Sequence, residues 1–421
     1  MSFLNSLKTW LSEKGLDRVF VKFFTSSVIS ALVGVFTGFF TYRYISPEML
    51  GIWSLFLVYE TYASFSRLGI INGLGRELPY TLGTGDDVEA RKMASTALSY
   101  SLFSNILIPV FLVALIYGKT LDWGNELYIY SAVIVLSRLL CSSYTSYLSV
   151  TFRTSENFKK LTYVQNVLSV LKVGSILLVV SFGFLGLLLR ELSLVIIELI
   201  LLHINRPLLV KPVFDFSTCM KLFKVGFPLF IVSYSVSAVD TFPRLYIIEY
   251  GTVEQLGLFS PVLITLGIAQ ILPTAISEYM YPRMSFELGK TGNKKKIRNI
   301  TLLSMVTSFV ASIPLALGVY FLADYVEFIF PRYVDSTPYL KVTSLAFLFI
   351  GYKSSTLSFA VLKSWRMMFI NAAIYFVISV AIISILNTLI DDVLMIASVA
   401  IVITFFTMFI VSNYLSYRVL S

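Results

Sequence analysis

Apolar residues run through this chain in long blocks separated by short polar connections, and the block length is the first clue. Blocks extend near residues 19 to 41, 49 to 72, 94 to 117, 126 to 152, 161 to 181 and 184 to 204. Six more lie near 225 to 249, 257 to 280, 300 to 323, 338 to 362, 367 to 388 and 393 to 416. Crossing a hydrocarbon core about 30 Å thick takes about 20 helical residues, so each block predicts one membrane-spanning helix. The expected fold is an all-α polytopic membrane protein with twelve transmembrane helices. Composition agrees: 14% of residues are charged against about 25% in soluble proteins, and the mean hydropathy is +0.81.

The pattern is also duplicated. Tyr44, Ser46, Glu48, Leu50, Gly51, Ile52 and Trp53 return as Tyr250, Thr252, Glu254, Leu256, Gly257, Leu258 and Phe259, at an offset of 206. Leu82 and Gly83 return as Leu288 and Gly289 at the same offset. Both matches fall at equivalent places in the topology, which predicts two homologous six-helix bundles, 19–204 and 225–416. An even number of spans per half gives both halves the same orientation. That is a parallel pseudo-two-fold repeat about an axis along the membrane normal, with a substrate site between the halves. Residues 205–224, with two prolines and mixed charge, read as a helix-poor cytoplasmic linker, and 417–421 as a cytoplasmic tail. Residues 1–18 carry Phe3, Leu7, Trp10 and Leu11 on one helical face and lack a cleavage site, so they read as an interfacial amphipathic helix.

Charge sets orientation. Lys8, Lys14, Arg18 and Lys22, together with Lys and Arg of the even-numbered loops and Arg418, put twenty-three cations on one side. Only Arg43, Lys119, Arg332 and Lys341 lie on the other. The positive-inside rule places both termini in the cytoplasm. The net charge of +9 is then a topology signal and an attraction to anionic membrane lipids, with no nucleic-acid partner implied. Cys141 and Cys219 are too far apart in the topology to be bridged, and no metal spacing exists.

Ionisable side chains inside spans cost about 2.5 to 3.5 kcal/mol each on insertion scales and so mark function or pairing. At 1.5 Å per residue, Glu60, Arg138 and Lys172 fall near the midplane, Lys353 slightly to its cytoplasmic side, and Arg67 two turns from Glu60. These five predict a central site with an excess of cations: Arg67, Arg138, Lys172 and Lys353 bind an anionic substrate, and Glu60 balances charge or couples an ion. Arg190, Glu191, Asp240, Arg244 and Glu249 fall in the outer third, where Asp240 and Arg244 form an i,i+4 pair suited to an outer gate. The competing reading is structural: Arg138 or Lys172 pairs with Glu198 or Glu60 to lock helices together. Asp86, Asp87, Asp391 and Asp392 read as loop acids, and His203 as an interfacial side chain. Tyr59, Tyr62 and Tyr147 are candidates for a sugar path, and Pro228, Pro243, Pro273 and Pro314 interrupt spans.

The hairpin Ser46-Pro47-Glu48-Met49-Leu50-Gly51-Ile52-Trp53, then Leu68-Gly69, Arg76-Glu77 and the Gly83 to Asp86 loop, resembles the signature region of polysaccharide export proteins. These belong to the multidrug, oligosaccharidyl-lipid and polysaccharide exporter superfamily. The resemblance implies a flippase of the bacterial inner membrane for undecaprenyl-diphosphate-linked oligosaccharide, of O-antigen or capsular type, working by alternating access. It further implies coupling to H⁺ or Na⁺, for which Glu60 and Asp240 are candidates. No cofactor is implied, and the partners are membrane lipids, a glycan polymerase and a chain-length regulator. The chain has no nucleotide-binding motif, which argues against direct ATP hydrolysis. A multidrug cation antiporter of the same superfamily would favour an acidic cavity. A membrane glycan polymerase or ligase needs a longer outer segment than Asp324 to Thr337, and a scaffold has no use for midplane charge.

Overall fold

The computed structural model describes residues 18–83, 86–116, 124–154, 158–271, 273–274, 294–362 and 364–420, and they are helical with no strand among them. The expected interfacial helix over 1–18 lies outside the described residues, apart from its last position. Span one is Arg18–Tyr44, span three Asp87–Ile116 and span four Glu126–Thr154. Span five begins as Phe158–Gly174 and continues into Ile176–Ile204. That helix reverses at Gly183, whose φ of 56° suits only glycine, so its second arm is span six. Span seven is Phe216–Tyr250, eight Val253–Ile271, nine Lys294–Leu322, eleven Trp365–Leu386 and twelve Val393–Leu420.

Besides span five, whose two pieces meet at an angle of 68°, two spans differ from the continuous helices expected. Span two runs Pro47–Ala63, breaks in a 3-10 turn at Ser64–Arg67, and resumes as Ile70–Gly83. Leu68 and Gly69 adopt φ of 53° and 79°, so two successive left-handed residues end the first segment. Span ten is likewise split, Thr337–Ser344 and Tyr352–Val361 being joined by a 3-10 stretch at Leu345–Phe349. The linker is also shorter than expected, because Phe216 to Lys224 already belong to the helix of span seven. Asp215 starts that helix by accepting from the Thr218 amide at 2.7 Å. Asp86 and Asp392 do the same for spans three and twelve, accepting from the amides of Glu89 and Leu394.

The repeated signature turns out to be a helix start joined to a crossing. Ser46 accepts from the Met49 amide at 3.4 Å, and its counterpart Thr252 forms a capping box with Gln255. Glu48 and Glu254 sit in the first turns, where the helix dipole favours an anion. Gly51 and Gly257 follow. A Cβ on Gly51 would lie 1.8 Å from the Val253 carbonyl oxygen, and one on Gly257 would lie 1.6 Å from that of Pro47. Pro47 and Val253 are themselves equivalents under the repeat, so the two contacts are one contact seen twice. Further along, Ser54 and Ser260, again equivalents, approach each other with hydroxyls 3.4 Å apart. A residue meets its own equivalent only on a two-fold axis. Contacts at the start and at the seventh residue on can share one register only if the helices run parallel, so the axis lies along them.

Two compact units cut across the halves. One gathers Ser66–Pro109 and Ser137–Phe227 with the chain up to Thr37; the other holds Gly38–Phe65, Val110–Leu136 and everything from Pro228. In the first, Leu74, Leu78, Met93, Phe152 and Leu222 form a fully buried core. In the second, spans nine to twelve pack through small polar residues: Ser308 meets Ser354 at 3.3 Å and Ser358 meets Ser416 at 2.8 Å. Lipid removes most of the hydrophobic drive between spans, so close approach and interhelical hydrogen bonds replace it.

Candidate substrate cavity and intramembrane charges

Pro243 lacks an amide hydrogen and interrupts the ladder of span seven one turn beyond Val239, loosening the backbone where Asp240 and Arg244 project. The break in span ten places Lys353 opposite. Its ammonium lies 3.3 Å from Asp240 Oδ2 and 2.9 Å from Gln270 Oε1, tying spans seven, eight and ten together. Tyr375 of span eleven donates to Asp240 Oδ1 at 2.8 Å and receives the Tyr352 hydroxyl at 3.2 Å. Lys353 also sits 5.9 Å from the centre of the Tyr352 ring.

A cavity of about 290 Å³ opens beside this network, with polar walls from Asp240, Arg244, Gln270, Tyr375, Ser379 and Thr404. Phe242, Ile383 and Phe405 supply apolar surface. Arg244 makes no hydrogen bond among the described residues, and its Nε is buried. The Asp240 charge acts on it through space. The outer gate pair expected from the i,i+4 spacing is therefore replaced. The Asp240 carboxylate is held across spans by Lys353 and Tyr375, and Arg244 is left facing the cavity.

A second set of charges belongs to the first unit. Arg138 Nη1 lies 2.8 Å from Glu191 Oε2, joining span four to span six. Glu198, two turns along span six, is close enough to Lys172 and Arg138 for both charges to act on it. Arg190 is buried and donates to Thr37 of span one at 2.8 Å. Arg67 ends the 3-10 turn of span two, reaching Ser146 at 3.4 Å while its carbonyl accepts from Tyr100 at 3.1 Å. Glu60, just before that turn in the chain, belongs instead to the second unit and lies half-buried, its carbonyl accepting the Ser64 hydroxyl at 3.0 Å.

The charge balance expected at the midplane changes accordingly. Three of the four expected cations have carboxylates nearby: Arg138 meets Glu191 and Lys353 meets Asp240, both expected in the outer third, and Lys172 has Glu198 within reach, as the competing structural reading allowed. The cationic excess in that form is gone. What remains unmatched by a carboxylate is Arg67, bonded to Ser146, and Arg244. Among the other sequence candidates, Tyr62 bonds Thr241 at 2.9 Å, and the hydroxyl of Tyr147 is buried without a partner. His203 meets the Tyr144 hydroxyl at 2.7 Å through Nδ1. Sequence reasoning missed Gln270 and Tyr375. Both are polar residues inside spans, a signal that was present but shared with many others.

A family model described as polysaccharide biosynthesis protein matches residues 40–332. The chain belongs to the polysaccharide biosynthesis protein family. The matched stretch holds both copies of the repeated signature together with Arg67 and Arg244, and ends before Lys353. Among curated proteins no match is found. Solved structures show where the fold of this family member recurs. An inward-facing multidrug resistance MATE family transporter of the MOP superfamily aligns with TM-score 0.70 at 15% identity, over 93% of this chain and 94% of its own. An outward-facing structure of such a transporter gives 0.68 at 16%, over 95% of each chain. A MOP superfamily transporter from Pyrococcus furiosus, described as having a binding pocket of reverse polarity, gives 0.69 at 16%, over 95% of each. At such identities the likeness shows the fold: a polytopic membrane protein of two six-helix repeats.

Proposed function

We propose that this protein is a flippase that carries undecaprenyl-diphosphate-linked oligosaccharide across the bacterial inner membrane, for O-antigen or capsule assembly, by alternating access between its halves. The observation that carries the reading is membership of a polysaccharide biosynthesis family by a chain whose fold is that of MOP superfamily transporters. That fold is described in both inward-facing and outward-facing forms, which supports a rocking mechanism. The crossing of spans two and eight on the pseudo-axis is a natural pivot, because glycine brings the backbones together there without side chains to unlock. Both termini face the cytoplasm in this reading, and a glycan polymerase and chain-length regulator act on the product outside.

Arg67 and Arg244 are the cations best placed to meet an anionic substrate group, since the others are neutralised locally. Lys353 already supplies Asp240 with a positive partner, so Glu60 is the better candidate for H⁺ or Na⁺ coupling. Asp240 would take part only if Lys353 moved. The chemistry is transport, with no bond made or broken. The likeness to multidrug transporters is fold likeness and gives no drug specificity. The test is loss of the chain in a cell that makes a surface glycan. Lipid-linked repeat units should accumulate facing the cytoplasm, surface glycan should disappear, and the restored gene should reverse both. Normal display with no accumulation would overturn the proposal.

A further inference from the structure

Arg244 stands apart from the other buried charges. A guanidinium offers five N–H donors in a rigid fork, yet this one makes no hydrogen bond among the described residues while its Nε is sealed from solvent. Asp240 does not satisfy it, because Lys353 and Tyr375 hold the carboxylate. The charged groups lining the cavity are thus Asp240 and Arg244, and because Lys353 pairs with Asp240 from behind that wall, the positive charge of Arg244 is left uncompensated. Other donors and acceptors in the wall are also idle. The amide nitrogen of Gln270 and the hydroxyl of Thr404 have no partner among the described residues, the Gln270 oxygen alone being used, by Lys353.

Size and lining narrow the ligand. A volume of about 290 Å³ is at the lower edge of small-molecule sites and suits one hexose ring with a small substituent. Hydroxyl-bonding groups around a floor of Phe242 and Phe405 suit a sugar, with polar edges and an apolar face. One free positive charge matches a carboxylate of charge −1 better than a phosphate monoester of about −1.5 to −2. We propose that this cavity binds a carboxylate-bearing sugar ring, with Arg244 gripping the carboxylate through its fork and Gln270 and Thr404 bonding ring hydroxyls. This deepens the flippase reading by naming an acidic sugar as part of the transported glycan, and it rests on that reading for its biological meaning.

The test is direct binding to the full chain in lipid nanodiscs, with D-glucuronate, D-glucose and acetate as probes and the thermal unfolding midpoint as readout. Glucuronate should raise the midpoint saturably, and glucose and acetate at equal concentration should leave it unmoved. Arg244→Gln should weaken glucuronate binding about tenfold or more, as expected for a lost charge-assisted hydrogen bond, and Arg244→Lys should weaken it less. Gly267 provides a control that does not depend on how Arg244 variants fold. It lines the cavity, and a Cβ there meets nothing within 4 Å, so Gly267→Leu should fill the site, abolish the glucuronate shift and leave the unliganded midpoint in place. An equal glucuronate response in wild type and Gly267→Leu overturns the proposal, as does an acetate response equal to that of glucuronate. No glucuronate shift from a protein that still translocates a lipid-linked glycan overturns this inference alone and leaves the flippase reading standing.

Discussion

The two sets of intramembrane charge solve the same electrostatic problem in different ways. In the first unit, Arg138 pairs with Glu191 and Glu198 lies within reach of the Lys172 and Arg138 charges, so these two cations have carboxylates on span six, while Arg67 bonds Ser146. In the second unit Lys353 pairs with Asp240, but Asp240 lines a cavity and Arg244 makes no hydrogen bond among the described residues. The pairs of the first set hold helices together, although Arg67 of that unit also keeps a buried Nε without a hydrogen bond among the described residues. A set with an unsatisfied guanidinium beside an open volume carries an uncompensated buried charge, which the proposed ligand would meet. Depth in the membrane does not distinguish the two, since both sets sit inside spans. Partner identity does.

The largest effect should come from opening the second set. Asp240→Ala leaves Lys353 facing only Gln270 and should cost about 3–5 kcal/mol and abolish glycan export. Adding Lys353→Met should recover most of the stability, read by chemical unfolding in detergent, while export stays lost. A double variant that regains export would make this pair structural and erase the contrast. The first set should behave in the opposite way. Arg138→Met should lower stability by up to about 3 kcal/mol, and the double variant with Glu191→Met should restore both stability and surface glycan at matched expression. Continued loss of export by a stable double variant would return Arg138 to the substrate path.

Two smaller effects sharpen the account. Glu60→Gln should slow export and alter its dependence on pH or Na⁺, with Glu60→Asp retaining part of the rate; an unchanged ion dependence in Glu60→Gln removes Glu60 from coupling. The smallest effect lies in the linker. Bonds from Ser217 and from the Thr218 amide hold the Asp215 carboxyl well below its usual range. A depressed folded value means the contribution is complete above the unfolded value near 3.9 and fades as pH falls towards the folded one. Hydrogen exchange of the first turn of span seven should therefore be faster in Asp215→Ala than in wild type at pH 7. Below about pH 4 the wild type should begin to approach the variant.

Spans and symmetry were legible because each follows from local pattern. Twenty apolar residues announce a helix, and Gly51 with Gly257 recur because both must pass a backbone at the same crossing. The breaks in spans two and ten were not legible. Leu68 adopts a left-handed conformation that its residue type does not favour, and the 3-10 stretch at Leu345–Phe349 is apolar throughout. Pairing was only partly legible. The i,i+4 rule joined Asp240 to Arg244, yet a carboxylate can also turn outward to a neighbouring span, and Lys353 lies 113 residues away. Which spans are neighbours is a tertiary fact, so Glu191 could not be assigned to Arg138, nor Gln270 to Lys353, from spacing alone.

The central claim is that the chain moves a lipid-linked oligosaccharide across a bilayer by motion about its two-fold crossing. The measurement is translocation in proteoliposomes loaded with undecaprenyl-diphosphate-linked oligosaccharide, followed by access of an added lectin to glycan that began on the inner leaflet. The account predicts glycan appearing outside at a rate above that of protein-free vesicles. It also predicts loss of that rate in Gly257→Leu, where the Pro47 carbonyl leaves no room for a side chain, in protein that still inserts. Folded wild-type protein that moves no more glycan than empty vesicles, across pH and Na⁺ gradients of either direction, would contradict it.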